Sequence, residues 1–242
     1  MLSHTILIGR THRLAQQNGQ DFACTGAPRP GFAYGLVLDG CGSKFRAGGR
    51  TTPSHNEIGA KLLGQFAARF LNRQMSPSSQ PFCLSKLLDG LYRASLHFLQ
   101  GTAAMIPFPD EEERTRFVAT HLLATMVGFM VTPETAAFFW QGDGYLCCNG
   151  EVTALESENR PEYLAYQLLR DRDHGRFQTQ VIPNRDEATW LAVATDGWQA
   201  GLLPELAQPR NSLALQRWVN RQARRRGVFE DDAAAAVWWN KE

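Results

Sequence analysis

Short apolar runs separated by turn residues mark both ends of the chain. Near the start, this pattern predicts three strands, at 5–9, 21–25 and 32–39. From Leu122 onward, it predicts a strand meander in the segments LLATMVGFMV, TAAFFWQGDG, YLCCNG and EVTALE, with a hairpin turn at Asn149-Gly150. The segment TWLAVATDG predicts a further strand. In DDAAAAVWW the alanine run favours helix locally, and the strand prediction there depends on Val237-Trp238-Trp239 and on the family resemblance given below.

Apolar residues at three- and four-residue steps predict helices in the remaining segments. The clearest is 55–72, for which Ser54 is the expected N-cap and Glu57 the partner in a capping box. We expect a second helix at 84–98 and a third at 211–226. Two groups of strands with a helical pair between them indicate an α+β layered fold.

Two segments that contain prolines and polar residues, 75–81 and 106–113, are predicted to be loops. The first is expected to join two helices and the second to lead from a helix into strands. Neither is long enough to divide the chain, so we expect one domain over residues 1–242.

Charge and composition narrow the classes of function. The 242 residues carry 25 lysines and arginines against 24 aspartates and glutamates, so charge makes no case for nucleic acid or an anionic membrane as partner. The start, MLSHTILIGRTH, lacks the pattern of a signal peptide, and no apolar stretch approaches the roughly 20 residues that span a bilayer. The five cysteines have no metal-type spacing and indicate free thiols. A soluble cytoplasmic protein is therefore expected.

Aspartates at the ends of apolar runs are the candidates for chemistry. Four Asp-Gly dipeptides occur, at Asp39-Gly40, Asp89-Gly90, Asp143-Gly144 and Asp196-Gly197. Each alone is typical of a turn. Asp39 and Asp196, however, end the apolar runs AYGLVL and WLAVAT, and Asp231-Asp232 opens a third. Carboxylates that converge at strand ends repel each other unless a cation such as Mg²⁺ or Mn²⁺ offsets their charge. The residues alone leave both interpretations open, turns and a divalent-metal site.

The residues of eight short segments, and the order of these segments along the chain, resemble those of a known family. They are Gly9-Arg10-Thr11-His12, Gln20-Asp21, Asp39-Gly40-Cys41-Gly42-Ser43, His55-Asn56-Glu57-Ile58-Gly59-Ala60, Ala124-Thr125, Gly142-Asp143-Gly144, Thr195-Asp196-Gly197 and Asp231-Asp232. Together they resemble the phosphatase 2C family, particularly its bacterial single-domain branch, over nearly the whole chain. The resemblance implies a four-layer α-β-β-α sandwich of two antiparallel sheets flanked by helices. It also implies a metal-dependent Ser/Thr protein phosphatase.

The same resemblance implies a centre with two Mg²⁺ or Mn²⁺ ions at one end of the sandwich. Asp39 would bridge both ions, and Asp196 and Asp231 would complete the protein ligands of the first. Gln20 and the carbonyl of Gly40 would serve the second ion. A water bridging the ions would attack the phosphorus of phosphoserine or phosphothreonine. The implied partners are a phosphorylated protein substrate and a cognate Ser/Thr kinase.

Other site residues are implied with less specific matches. Asp21 would orient metal-bound water. The family's basic phosphate-binding residue has no counterpart at 16–18, which leaves Arg10, His12 or Arg13 for that role. A hydrogen-bonded structural histidine is an equally good interpretation of His12.

Two departures from the family pattern bear on function. Gln20 stands where many members have glutamate, so a weaker second metal is expected, and a regulatory binding module without catalysis is the alternative function. A hydrolase of small phosphoesters with the same metal centre is a third. The basic, glycine-rich insertion at 44–53 is either a plain loop or a site where Lys44, Arg46 or Arg50 holds an acidic phosphopeptide.

Overall fold

Residues 1–42, 46–47, 50–51, 53–76, 82–155, 162–169 and 175–240 are described by the computed structural model, without the side chains of 46–47 and 50–51. They form two five-stranded antiparallel sheets and a two-stranded hairpin. The strands are β1 (Leu2–Leu7), β2 (Asp21–Arg29), β3 (Phe32–Asp39), β4 (Arg46–Ala47), β5 (Arg50–Thr51), β6 (Met126–Val131), β7 (Ala136–Gln141), β8 (Gly144–Cys148), β9 (Glu151–Leu155), β10 (Gln178–Ile182), β11 (Trp190–Ala194) and β12 (Ala233–Trp239). The α-helices are α1 (Arg10–Ala15), α2 (Asn56–Gln74), α3 (Leu84–Ala104), α4 (Glu111–His121) and α5 (Ser212–Gln222).

The two large sheets stack face to face with helices on both outer sides. One sheet has the order β1-β12-β11-β8-β9 and the other β10-β7-β6-β3-β2. Helix α5 packs on β1, while α2 packs on β2 and β3. Helices α3 and α4 pack against α2. The predicted four-layer sandwich is therefore confirmed.

Side chains of alternating direction fill the three spaces between these layers. Along β3, Leu36 and Leu38 join the cluster beneath α2 and α3, whereas Val37 faces the other sheet. The opposite sheet repeats this arrangement, with Ala192 directed toward α5 and Val193 toward the space between the sheets. Both central strands are thus buried on two faces, which explains their nearly continuous apolar sequences.

The alanine run forms strand β12, as predicted. Ala234 and Ala236 face the other sheet, and Ala233 and Ala235 face the helical layer. The sheets approach closely here, since a Cβ added at Gly35 would lie 2.9 Å from the Cβ of Ala236. Small side chains are required at this crossing, and tertiary packing overrides the helical preference of alanine.

Several boundaries differ from the predictions. Helix α3 runs to Ala104 without a break at Asp89-Gly90. Helix α4 was not predicted, and the expectation that 106–113 leads into strands is wrong. Asp110 caps α4 by accepting a hydrogen bond from the Glu113 N–H at 2.9 Å. The first turn of α4 consists of charged residues and the apolar periodicity of the helix is weak, so the sequence pattern did not predict it.

The N-cap prediction for α2 is also wrong. His55 occupies the cap position, without a side-chain hydrogen bond to the helix. Ser54 instead donates its hydroxyl hydrogen to the Cys41 carbonyl at 2.7 Å and accepts the Asn56 N–H at 3.3 Å. The start of α2 is thereby tied to the chain that follows β3.

In the part of the chain that the structure describes, no helix has both the length and the apolar character needed to cross a bilayer. None of the five cysteines, all within the described residues, forms a disulfide bond, and Cys41 is buried.

Candidate metal centre

Two carboxylates face each other where β2 begins and β3 ends. Asp21 and Asp39 are register partners in this antiparallel pair. The Asp39 N–H donates to the Thr125 hydroxyl oxygen at 3.1 Å, and the Thr125 N–H donates to the Asp39 carbonyl at 2.9 Å. These bonds fix the end of β3 against the residue before β6, so Asp39 has a defined position at the edge of the sheet.

The opposite sheet brings two more carboxylates to the same end of the sandwich. Asp196 follows β11 and Asp231 precedes β12, and both are exposed. Thr195 joins the two sheets, because its hydroxyl donates to Asp21 Oδ2 at 2.7 Å while its N–H donates to the Ala234 carbonyl at 3.0 Å. The predicted convergence of carboxylates at strand ends is present.

Asp143 is a fifth acidic residue of this region and was not predicted to belong to the site. It lies in the turn between β7 and β8, whose flanking residues Gly142 and Gly144 have φ angles of +99° and +137° that favour glycine. Its charge contributes to raising the pKa values of Asp39 and Asp196. The available sequence signal was its Asp-Gly dipeptide after the apolar run AAFFW.

The carboxylates raise each other's pKa values. Burial, followed by the charge of Asp196, raises the pKa of Asp39 to about 7. Although the Asp196 residue as a whole is exposed, partial desolvation of its carboxylate and the charge of Asp143 raise its pKa to about 6. Burial and the charge of Asp39 raise the pKa of Asp21 well above its usual range. Among the described residues, no lysine or arginine forms an ion pair with these three carboxylates.

Asp232 holds the N-terminal segment against the start of β12. Its buried carboxylate accepts the Gly9 N–H at 2.7 Å, the Gln20 N–H at 2.6 Å and the His12 Nδ1 at 2.8 Å. With hydrogen bonds to both oxygens, Asp232 is a structural support. The bond also fixes the His12 ring, which agrees with the structural interpretation of that histidine and leaves Nε2 for another partner.

Ligand atoms of His12, Asp231 and Asp232 lie within 4.8 Å of one another. Within the described residues, no other three histidine, cysteine or acidic side chains form so tight a group. The predicted set of Asp39, Asp196 and Asp231 is therefore more open than this triad.

Close backbone approaches at glycine shape this end of the molecule. A Cβ at Gly197 would lie 1.7 Å from the Asp232 carbonyl oxygen, and one at Gly9 would lie 2.2 Å from the Asp231 carbonyl carbon. A Cβ at Gly40 would lie 2.8 Å from the Asn56 carbonyl carbon. No larger residue fits at these positions without movement of the backbone.

The predicted second-metal ligands lie beside a polar cavity. The Gly40 N–H donates to the Gln20 carbonyl at 3.2 Å. Gln20, His12 and the buried Glu57 line an adjoining cavity of about 440 Å³. Gln20 is thus near His12, and its role as a metal ligand stays a prediction.

The candidate phosphate-binding arginines lie at the surface. Arg10 Nη1 lies 3.6 Å from Glu230 Oε1, and both side chains are about half exposed. Arg13 is exposed on α1. Lys44 and the side chains of Arg46 and Arg50 lie outside the described residues, so the proposed role of the insertion stays a prediction.

The residues present fit a hard divalent cation. Asp21 Oδ1 is buried and has no hydrogen-bond partner among the described residues, and the neighbouring carboxyl of Asp39 contributes to raising the pKa of Asp21. The surrounding donors are carboxylate, amide and carbonyl oxygens, which are the ligands that Mg²⁺ and Mn²⁺ prefer. An oxygen-rich cluster with raised pKa values is the electrostatic environment that such a cation would relieve.

Comparison with known proteins identifies the family. The protein phosphatase 2C family model matches residues 8–238, and the chain belongs to that family of Ser/Thr protein phosphatases. No curated protein sequence matches the chain significantly.

Solved structures share the fold at low sequence identity. The serine/threonine phosphatase PstP/Ppp of Mycobacterium tuberculosis has 13% identity and a TM-score of 0.62, covering 100% of this chain and 99% of its own. The catalytic domain of PstP, in complex with two manganese ions, has 16% identity and a TM-score of 0.62, covering 98% and 96%. PppA of Pseudomonas aeruginosa, a key regulatory component of T6SS, has 16% identity and a TM-score of 0.57, covering 98% and 96%.

Proposed function

We propose that the protein is an active, metal-dependent phosphatase that removes phosphate from phosphoserine or phosphothreonine in proteins. The observation that carries the proposal is the position of Asp39 opposite Asp21, where burial and the charges of Asp196, Asp231 and Asp143 raise its pKa to about 7. A regulatory module without catalysis has no need of carboxylates that repel one another, because this repulsion lowers the stability of the fold. The two manganese ions of the PstP catalytic domain support a two-metal centre here.

The residues that would hold the ions follow from their places in the fold. Asp39, Asp196 and Asp231 come from both sheets and would hold the first ion, with Asp39 shared with the second. Gln20 and the Gly40 carbonyl would complete the second. Bound Mg²⁺ or Mn²⁺ would supply an activated water and offset negative charge on the phosphoryl oxygens.

The chain's own groups would orient the reactants. Asp21 is fixed by the Thr195 hydroxyl, and its Oδ1 is available to accept a hydrogen bond from a water molecule. His12 Nδ1 donates to the Asp232 carboxylate, which leaves Nε2 outside that bond. We assign to His12 the transfer of a proton at Nε2 or the binding of a phosphoryl oxygen, and to Arg10 a weaker electrostatic role at the rim.

A regulatory binding module is the second candidate function. Gln20 favours it, because an amide in place of a carboxylate contributes no negative charge to the second ion. Under this alternative the protein would bind a phosphorylated protein, and a cognate Ser/Thr kinase would control the concentration of that phosphorylated ligand. Hydrolysis decides between the two functions.

The test is hydrolysis of a phosphothreonine peptide with and without Mn²⁺. Wild type is compared with Asp39→Asn and Asp196→Asn, and Asp89→Asn serves as control because it alters an exposed Asp-Gly aspartate on α3. We expect Mn²⁺-dependent turnover that each site substitution lowers about a thousandfold, or about 4 kcal/mol of transition-state stabilisation. The control should retain wild-type activity.

Folded wild-type protein without turnover at millimolar Mn²⁺ would contradict the proposal. Saturable binding of the intact phosphopeptide in that case would favour the binding module. Faster hydrolysis of small phosphoesters than of the peptide would instead assign the same centre to small-molecule substrates.

A further inference from the structure

A second cavity, of about 700 Å³, opens at the end of the sandwich opposite the carboxylates. Strand β3 begins at Phe32 in its wall and ends at Asp39, and β12 runs from beside Asp232 to Trp238 and Trp239 in its wall. The cavity thus lies between the two sheets at their far end. Its volume falls within the range of about 300–1,000 Å³ typical of small-molecule sites.

Arg29 brings one cation to this cavity. Its guanidinium carbon lies 3.6 Å from the centre of the Phe32 ring, which fixes the planar group. Its Nε is buried and has no hydrogen-bond partner within the described residues. An N–H donor buried without an acceptor costs free energy.

Arg185 brings a second cation from the 3-10 helix Arg185–Glu187. One of its terminal nitrogens, Nη2, donates to Asn240 Oδ1 at 2.7 Å, and its guanidinium carbon lies 5.8 Å from the Trp238 ring centre. Its Nε, like that of Arg29, is buried without a partner in the described part of the chain. Two guanidinium groups that lie against aromatic rings therefore belong to the wall of one cavity.

The charges around this cavity select an anion. No aspartate or glutamate belongs to its described lining, and neither arginine forms an ion pair with a described carboxylate. Guanidinium groups pair with carboxylate and phosphate through parallel N–H donors that include Nε. The remaining walls are largely apolar, with Pro28, Pro30 and Val131 among them.

We propose that this cavity binds a small molecule in which an oxyanion, carboxylate or phosphate, is attached to an apolar group. Arg29 and Arg185 hold the oxyanion, and the apolar group lies against the proline, valine and tryptophan side chains. The site is separate from the carboxylate centre and does not depend on the proposed phosphatase activity.

Three probes with one ring and different head groups test the proposal: benzoate, phenylphosphonate and benzyl alcohol. Each is titrated calorimetrically into the full chain without divalent cations, when the carboxylate centre repels anions. We expect at least one anion to bind with a dissociation constant of about 1 mM or tighter. The tighter anion identifies the head group, and benzyl alcohol should bind at least tenfold more weakly.

Substitutions of the two arginines and hydrogen exchange test whether the anion binds in this cavity. Arg29→Gln and Arg185→Gln should each weaken it about tenfold or more, whereas Arg69→Gln, an exposed arginine on α2, should leave it unchanged. Hydrogen exchange of wild type with the bound probe should show protection at 27–33 and 237–240, a result that needs no variant to fold. No saturable binding of either anion, equal binding of benzyl alcohol, or protection elsewhere would overturn the proposal.

Discussion

Asp21 lies directly opposite Asp39 across the β2–β3 pair, and Thr195 of the other sheet donates its hydroxyl hydrogen to Asp21. Neither carboxylate has a cationic partner among the described residues. Burial and repulsion raise both pKa values, so without a cation this end of the fold favours bound protons. Proton binding and cation binding therefore compete at the same oxygens.

The stability of the metal-free protein should rise as pH falls from 8 to 5.5. The pKa of Asp39 is about 7 and that of Asp196 about 6 in the folded state, against about 3.9 for an unfolded aspartate. Between pH 4 and 7 the folded state binds more protons, so stability decreases as pH increases. Thermal denaturation should give a higher Tm at pH 5.5 than at pH 8.

The same experiment on Asp39→Asn provides the control, because the amide does not titrate and the pH dependence of Tm should weaken. Mn²⁺ should raise the wild-type Tm more at pH 8 than at pH 5.5, where protons compete with it. A wild-type Tm that is lower at pH 5.5 than at pH 8 would contradict this account.

Asp232 and its neighbour Asp231 should differ sharply in their effect on folding. Asp232→Asn disturbs a buried carboxylate that accepts three hydrogen bonds and should lower the free energy of unfolding by about 3 kcal/mol. Asp231→Asn changes an exposed side chain and should alter it by less than about 0.5 kcal/mol in the metal-free protein. Urea denaturation measures both. Equal effects would mean that Asp232 does not hold the N-terminal segment.

The close approaches at glycine predict opposite effects of the same substitution. Gly197→Ala and Gly9→Ala would place a methyl group 1.7 Å and 2.2 Å from backbone atoms and should destabilise by about 1–3 kcal/mol. Gly101→Ala, in α3 with nothing within 4 Å, should stabilise by up to about 1 kcal/mol. Thermal denaturation would show the contrast, and a neutral Gly197→Ala would mean that the turn relaxes freely.

Gln20 is expected to set the affinity of the second ion. Gln20→Glu adds a charge and should lower the Mn²⁺ concentration for half-maximal activity about tenfold, or about 1.4 kcal/mol. Gln20→Ala removes the ligand oxygen and should raise that concentration. Activity at saturating Mn²⁺ should change much less in Gln20→Glu. An unchanged Mn²⁺ dependence in both variants would remove Gln20 from the ligand set.

How much of the site could be predicted depended on where each carboxylate lies relative to a strand. Asp39 and Asp196 end apolar runs, so strand patterning made them candidates, and the family resemblance assigned them to one site. Asp143 lies in a hairpin turn, where an Asp-Gly dipeptide is ordinary, and only the three-dimensional packing of β8 beside β11 places it near the others. The hydrogen bonds of Asp232 join residues more than 200 positions apart and leave no local signal.

In the fold, too, the elements with a clear local sequence pattern were predicted, and those that depend on tertiary packing were harder to predict. Strand β3 has its predicted bounds because its apolar sequence and flanking turn residues agree. Helix α4 lacks a strong apolar face and buries only Val118 and Thr120, so its periodicity was too weak to detect. The alanines of β12 favour helix locally, and their strand conformation follows from the close crossing with β3.

Calorimetric titration with Mn²⁺ tests the proposed two-metal centre most directly. The account predicts two ions bound per wild-type chain, loss of both sites in Asp39→Asn, and wild-type binding in Asp89→Asn. Absence of saturable Mn²⁺ binding at millimolar concentration, or unchanged binding in Asp39→Asn, would contradict it.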